Sequence, residues 1–376
     1  MFSLLRLILL ILLFIASLFT VLKAPAYYLW LLAVLVSEYG VIFIVITLLI
    51  LLSGKWVSKY QLVGTVIGVS AMILYCSPIL RARSIGVNLQ AGINQAFGNR
   101  NTVQSDQPFN IFKLFTKDPQ ASGKRLDYVT YADTTLSLDF YKSAVTGKRP
   151  CVVVIHGGSW SSGDSKQLPE LNGVLAEAGY QVASINYRLS PRWKSPAPVQ
   201  DVEAALKYLH QHATELNIDT GRFVLLGRSA GAQIALLAAY TIKQQGIKGV
   251  IDFYGPADMV WGYSLPAPKL VMDSRQVMAN YLGGHYPAVP QNYAASSPIR
   301  FVNTQTVPSL IIHGGNDVLV AYEHSRRLND TLSKYSVTHY WLKLPWATHG
   351  FDHHLNGPGG QLSTYAVKRF MQFTTR

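Results

Sequence analysis

Four short stretches carry residue types suited to acyl transfer. In "LLGRSAGAQ" (225–233), Ser229 stands between Gly227 and Gly231, with Arg228 directly before it. A hydroxyl on a tight strand-to-helix turn needs small residues two positions either side, and this spacing supplies them. The helix N-terminus that follows favours negative charge developing beside the serine. G-x-S-x-G alone is weak, because a chain with 29 glycines produces it by chance; its place between "FVLL" and "AGAQIALLAAYTIKQ" gives it weight. In "HGGSW" (156–160), a glycine-rich loop follows the apolar "CVVVI". Backbone N–H groups in such a loop can face an oxyanion without side-chain reorganisation. Gly158 and Ser159 are the expected donors, joined by the N–H of Ala230. His156 reads as a brace for the loop rather than a base, and Trp160 as loop packing or pocket lining.

The third stretch is "LIIHGGNDVLV", where Asp317 lies a few residues past an apolar run. A carboxylate there can orient an imidazole; a turn-forming Asn-Asp pair is the plain alternative. The fourth is "LPWATHGFD", which offers His349 as the partner. His353 and His354, and Asp258 in "FYGPADM", are rivals for the base and the acid. The chain order Ser229, Asp317, His349 belongs to one architecture among those that use such a triad. No metal set emerges, because His353 and His354 are adjacent and the other histidines lie far apart.

These residues need a scaffold that ends strands near one another. From Leu126 onward strands and helices alternate. "LDYVTYA" and "LSLDFYKS" read as a hairpin; "CVVVIHGG", "QVASINYRL", "RFVLLG", "GVIDFYG" and "SLIIHGG" read as strands buried on both faces. Helical stretches such as Pro198 to His212 and Ala230 to Gln244 separate them. The expectation is an α/β fold with a mostly parallel sheet and helices on both faces, its polar motifs at the carboxyl ends of strands. The insertion Met259 to Tyr286 is expected to build part of the substrate pocket with Trp160, through Trp261, Tyr263 and Leu265, or to pack as an ordinary lid.

The rest of the chain is different in kind. Only 14% of the residues are charged, and from Met1 to Leu80 the charges are Arg6, Lys23, Glu38, Lys55 and Lys59 alone. Leu4 to Leu22, Leu29 to Leu52 and Leu62 to Leu80 each approach the ~20 apolar residues that cross a ~30 Å hydrocarbon core. Tyr27, Tyr28, Trp30, Trp56 and Tyr60 sit at their ends as interfacial anchors. About three transmembrane helices are expected over 1–83, then a linker with an amphipathic segment over 84–125, then a catalytic domain over 126–376. A cleavable leader is the rival for the first run, and two further apolar runs argue against it. Basic residues divide evenly between the two sides, so orientation is left open. Glu38 inside an apolar run marks either a functional carboxyl or one that lies near the interface or is hydrogen-bonded to a neighbouring helix. Ile85, Leu89, Ile93 and Phe97 recur at helical spacing, and Asn99 to Gln107 reads as loose. Phe109, Phe112 and Phe115 form a stripe that covers a site mouth, lies on a bilayer or packs on its own domain. The net charge of +13 is scattered without a Lys/Arg run, which suits an anionic membrane surface and not nucleic acid. Cys76 and Cys151 form no disulfide framework.

With these motifs in order, residues from about Asp127 to Phe373 resemble an α/β-hydrolase of the esterase and lipase type. The nearest likeness is to its hormone-sensitive-lipase-like and acyl-carbohydrate-esterase-like groups. "VIHGGSWSSGD" is similar to their oxyanion segment, "NYRLSPRWKSPAPVQDVEAALKYL" to the stretch after the next strand, and "GRSAGA" to their nucleophile turn. "VIDFYGPAD", the segment through "VPSLIIHGGNDVLVAYEHSRRL", and "THGF" complete the series. The resemblance implies a serine hydrolase with Ser229 as nucleophile, His349 as general base and acid, and Asp317 as orienting carboxylate. It implies an oxyanion hole from Gly158, Ser159 and Ala230, and neither an organic cofactor nor a metal. Three positions depart from the lipase pattern: Ser159 replaces a third glycine, Ala232 replaces a glycine, and Arg228 replaces an acidic or neutral residue. The first two suit the carbohydrate-esterase-like branch. The expected function is a membrane-anchored carboxylic-ester hydrolase acting on a small-molecule or lipid ester. An amidase or formamidase on the same machinery, and a hydrolase-fold protein that binds without turnover, stand as alternatives.

Overall fold

A single sheet receives most of the buried apolar runs. The computed structural model describes residues 2–98, 107–243 and 246–375. Its strands are β1 (Lys124–Thr130), β2 (Thr135–Tyr141), β3 (Arg149–Ile155), β4 (Gln181–Ile185), β5 (Ile218–Arg228), β6 (Ile247–Phe253), β7 (Ser309–Gly314) and β8 (His339–Leu344). They form an 8-stranded sheet in the order β1-β2-β4-β3-β5-β6-β7-β8. β1 and β2 pair antiparallel, as do β2 and β4; every pairing from β4 to β8 is parallel. Successive side chains of a strand point to opposite faces. Val153, Ile155 and Leu225 therefore enter one core, while Val152, Val154, Val224 and Leu226 enter the other.

Helices cover both faces. The N-terminal ones are α1 (Phe2–Ser17), α2 (Tyr27–Glu38), α3 (Gly40–Leu52) and α4 (Gln61–Phe97). Then come α5 (Glu170–Glu177), α6 (Ala197–Gln211), α7 (Ala230–Thr241), α8 (Met259–Ser264), α9 (Ser274–Leu282), α10 (Pro290–Ala295), α11 (Glu323–Lys334) and α12 (Pro358–Thr374). Val202 and Leu206 of α6, Ile234 of α7 and Leu328 of α11 pack on the first face. Leu171 and Leu175 of α5, with Leu362 and Phe370 of α12, pack on the second. The expected helix from Ala230 closes at Thr241, and Gln244 lies outside the described residues.

The apolar N-terminal region departs from three straight spans. Phe2–Thr20 and Gln61–Phe97 are long and apolar enough to cross a membrane. The expected middle span, Leu29 to Leu52, is instead two helices bent by 84°, so the count is two spans, or three if the bent pair is one. The bend falls where the chain is tied to the globular part. Tyr39 stacks on His354 at 4.2 Å, and Glu38 Oε2 accepts the Gly359 N–H at 2.8 Å. Gly359 lies in the first turn of α12, whose N–H groups lack helical acceptors and welcome a carboxylate. Glu38 is thus hydrogen-bonded to a neighbouring helix, one of the alternatives expected for it, and that helix is α12 of the globular part. Arg6, buried in α1, donates to the Ile50 carbonyl at 3.2 Å near the end of α3.

α4 also runs through the expected boundary at residue 83. At 1.5 Å rise per residue its 37 residues span roughly 55 Å, far more than a ~30 Å hydrocarbon core. Its second half carries Leu89, Ile93 and Phe97, which are buried against α12; Phe97 packs on Phe370 and Phe373. The polar residues 99–106 lie outside the described residues. Of the aromatic stripe, Phe109 packs against the core, while Phe112 and Phe115 are exposed on a turn of 3-10 helix.

Candidate active site

Parallel strands bring their carboxyl ends to one edge, and each motif falls just beyond one. "HGGSW" follows β3, Ser229 follows β5, Asp317 lies three residues past β7, and His349 lies in the loop after β8. Ser229 sits at φ 53°, ψ −121°, a strained conformation of the kind that clusters at functional sites and costs about 1–3 kcal/mol. Its N–H donates to the Phe253 carbonyl at 2.9 Å, which fixes the turn. A Cβ at Gly227 would fall 2.2 Å from the Gly231 carbonyl oxygen, and one at Gly231 would fall 2.2 Å from the His156 carbonyl oxygen. Both glycines are therefore required by the close approach of strand, turn and helix.

The predicted partners meet. Ser229 Oγ is 2.9 Å from His349 Nε2, and His349 Nδ1 is 2.7 Å from Asp317 Oδ2. Asp317 Oδ1 accepts the N–H groups of Leu319 and Val320, each at 2.9 Å. His313 Nε2 lies 3.1 Å from Asp317 Oδ2 and 3.1 Å from the Val320 carbonyl oxygen. Burial alone would raise the Asp317 carboxyl. The charge of His349 and the hydrogen bonds from His313 and His349 outweigh burial and hold the carboxyl well below the usual carboxylate range. Asp317 is therefore ionised and aimed at the imidazole, an arrangement that lets the ring take a hydroxyl proton.

The loop before Ser229 is set for an oxyanion. The backbone N–H groups of Gly158, Ser159 and Ala230 find no acceptor among the described residues. Ser159 and Trp160 both hold positive φ, 53° and 60°. His156 braces the loop: it is buried, its Nδ1 lies 2.7 Å from the Gly157 carbonyl oxygen, and its ring stacks on Tyr187 at 4.3 Å. Burial pulls its pKa down to about 4, so it stays neutral. Trp160 does both things expected of it. Its Nε1 donates to Gln233 at 3.0 Å, its ring stacks on Tyr281 at 4.5 Å, and it lines a small cavity beside Ser229.

Other candidates are placed elsewhere. Trp261 and Tyr263 do not line the cavities at Ser229. Trp261 packs edge-on against His324 under Arg327, and Tyr263 sits among His285, Tyr286 and Tyr293. Leu265 lines the small cavity as expected, together with Gly262, whereas the rings of Trp261 and Tyr263 are held in the contacts just named. Asp258 caps α8 through the Trp261 N–H at 3.0 Å and pairs with Arg327 at 2.9 Å. His354 is taken by Asp118 at 2.8 Å. Phe109, Phe112 and Phe115 reach neither cavity.

Arg228 is a scaffold cation. It is buried, its Nε lies 2.5 Å from Asp352 Oδ2, and Tyr254 Oη donates to Asp352 Oδ1 at 2.5 Å. Burial and then the Asp352 charge raise the Tyr254 phenol far above its ordinary value, so it remains a donor. The Tyr254 ring packs against His349 at 4.4 Å, so the Arg228–Asp352 pair supports one side of the imidazole.

Sequence reasoning missed two contributors. Tyr254, after β6, holds His349; its place past a strand's end was the available signal. Trp30 of α2 donates from Nε1 to the His349 carbonyl oxygen at 3.0 Å, across 319 residues of chain. Nothing in the local pattern of α2 announces that contact.

This geometry can be set beside known proteins. The BD-FAE family model matches residues 138–332, just over half of the chain. The chain belongs to the BD-FAE family. Among curated relatives, LipM of Mycobacterium tuberculosis, named a probable carboxylic ester hydrolase, is 28% identical over 70% of this chain and 63% of its own. Esterase LipQ of the same organism is 28% identical over 55% of this chain and 51% of its own. The chain thus spans about half to just under two thirds of the curated relatives it matches first. Among solved structures, a bacterial heroin esterase aligns with a TM-score of 0.60 at 22% identity, over 68% of this chain and 85% of its own. A truncated carbohydrate esterase from gut microbiota aligns with a TM-score of 0.55 at 22% identity, over 67% and 96%. These likenesses show an α/β-hydrolase-like fold over about two thirds of the chain.

Proposed function

We propose that this chain is a membrane-anchored serine hydrolase that cleaves carboxylic esters through an acyl-enzyme intermediate. The observation that carries the reading is the relay Ser229–His349–Asp317, at 2.9 Å and 2.7 Å, beside three backbone N–H groups without acceptors. Relatives named as esterases support the ester as the bond attacked. The two long apolar helices support the anchor, and α2, which lies between them in the chain, reaches the site through Trp30.

The residues divide the work as follows. Ser229 Oγ bonds to the acyl carbon while its proton passes to His349 Nε2, and the Gly158, Ser159 and Ala230 N–H groups receive the charge on the carbonyl oxygen. The bond to the alcohol oxygen breaks, and that oxygen takes the proton from His349. Water then adds to the acyl carbon, losing a proton to His349; Ser229 leaves with that proton, and a carboxylic acid departs. Asp317 keeps the imidazole in the tautomer that accepts at Nε2 and offsets its positive charge in between. Each N–H on the oxyanion contributes on the order of 3 kcal/mol to the barrier reduction in such sites.

The full chain in detergent should hydrolyse p-nitrophenyl acetate and bond to a fluorophosphonate probe. Ser229→Ala should abolish both while the protein still partitions into membranes. Folded protein inert to both reagents, or labelling that survives the substitution, would refute the proposal.

A further inference from the structure

Two cavities meet at Ser229, and they differ in size and in neighbours. Ser159, Ser229, Met272 and Leu319 line both. The smaller, ≈50 Å³, lies on the side of Trp160, Ala230 and Met278. The larger, ≈780 Å³, lies on the side of His349, Gly350 and His353. The chemistry of the proposed reaction assigns them. The departing alcohol oxygen must take its proton from His349, so the alcohol lies on the His349 side. The acyl substituent then points the other way, past the Ala230 N–H. The smaller cavity is less than a tenth of the larger, which gives the acyl side the short part of the ester, a group of about acetyl or propionyl size. The larger falls within the ~300–1,000 Å³ of sites that hold drug-sized molecules.

The walls of the larger cavity identify what enters it. One wall is α2, through Tyr27, Trp30, Leu31, Val34 and Leu35. Leu31 and Leu35 are also exposed, so this apolar face continues from the cavity to the outer surface of the bent apolar pair. Leu270, whose carbonyl accepts the Tyr27 N–H at 3.0 Å, is 76% exposed beside it. On the opposite wall Ser162, Gln167 and Arg228 each have a bond to the scaffold, while His353 is exposed and Arg228 Nη1 has no partner among the described residues. Ser162 Oγ donates to the Gly158 carbonyl, Gln167 accepts the Gly157 N–H, and Arg228 pairs with Asp352. A sugar would bring several hydroxyls that each require a partner, whereas an alkyl chain requires only apolar wall.

Resting on the ester-hydrolase reading above, we infer that the substrate is a short-acyl ester of a lipophilic, membrane-resident alcohol, whose alkyl part lies along α2 while its acetyl-sized acyl group fills the cavity beside Trp160 and Ala230. In the reaction the acyl group moves from the alcohol oxygen to Ser229 Oγ and then to water, and the alcohol keeps its proton from His349 and returns to the bilayer.

The test uses the full chain in phosphatidylcholine vesicles with two isomeric lipophilic esters, hexadecyl acetate and ethyl hexadecanoate, and p-nitrophenyl acetate as a water-soluble reference. Because the isomers have the same composition, partitioning is matched and only the direction of the ester differs. Hexadecyl acetate should be cleaved at least about tenfold faster than its isomer, a preference of roughly one decade for a misfit chain. Leu31→Trp, which places a large ring in the alkyl path, should lower the ratio of hexadecyl acetate to p-nitrophenyl acetate turnover by a similar factor. Equal or faster cleavage of ethyl hexadecanoate overturns the assignment, as does an unchanged ratio in a folded Leu31→Trp protein. Cleavage of p-nitrophenyl acetate without cleavage of either lipophilic ester also overturns it, while leaving the hydrolase proposal standing. Failure on all three substrates together with no fluorophosphonate labelling overturns the hydrolase proposal itself.

Discussion

Replacing Asp317 with asparagine is the sharpest probe of the relay, because the structure dictates which way the amide must face. Asp317 Oδ1 accepts two backbone N–H groups, from Leu319 and Val320 at 2.9 Å each. Turning an NH2 toward those donors would forfeit both bonds, at about 1–3 kcal/mol for each buried group left unmatched. The amide oxygen therefore stays at the Oδ1 place, and the NH2 takes the place of Oδ2, 2.7 Å from His349 Nδ1. His349 must then accept at Nδ1 and carry its proton on Nε2, aimed at Ser229 Oγ 2.9 Å away. An imidazole in that tautomer cannot take the serine proton. The expected loss in kcat is roughly 10⁴-fold, or about 5 kcal/mol of barrier. The volume and most hydrogen bonds are preserved, so the thermal midpoint should move little. Burst and steady-state release of p-nitrophenol, together with the rate of fluorophosphonate labelling, measure the loss; a melting curve checks the fold. A folded Asp317→Asn protein that keeps more than about a tenth of its activity would refute the claim that Asp317 sets the tautomer of His349.

Arg228→Leu leaves the Asp352 carboxylate buried without its cation, which should destabilise the protein by ~3–5 kcal/mol in chemical denaturation. Residual activity should fall by the same factor on neutral and anionic esters, since the guanidinium is committed to Asp352; a loss confined to anionic esters would show that it binds substrate. A pH effect follows from His156 and His324, which burial holds near about 4 and about 3 against an ordinary 6.5. Between those values the unfolded chain binds protons that the native chain refuses. Stability should therefore be fully present above pH ~6.5 and decline as pH falls toward ~4, by about 2 kcal/mol per histidine between pH ~6.5 and ~5. Denaturant midpoints that stay level over this window would contradict the assignment of both rings as neutral and buried.

The sequence by itself determined the strands, their buried two-sided character and the residues that meet at their ends. It could do so because these depend on local features: β-branched runs, a helix that starts directly after Ser229, and glycines at positions where no Cβ fits. The order of Ser229, Asp317 and His349 fixed which loops supply them. The identity of the base over His353 and His354 was not local. It was decided by β8 lying next to β7, which sets His349 beside Asp317 and leaves His354 facing Asp118 and Tyr39.

Only the tertiary structure decided what the apolar N-terminal region does. Hydropathy measures transfer of a side chain out of water, and it is the same for a helix facing lipid as for one walling a cavity. The run from Leu29 to Leu52 therefore read as one span, whereas Glu38, Tyr39 and Trp30 pin its first half to α12, His354 and the His349 loop. For the same reason Trp261 and Tyr263 read as pocket residues although Gly262 and Leu265 line the small cavity, and nothing marked Leu31 and Val34, more than two hundred positions earlier in the chain, as walls of the larger one. Such contacts rest on which surfaces the folded sheet leaves open, and no spacing along the chain records that.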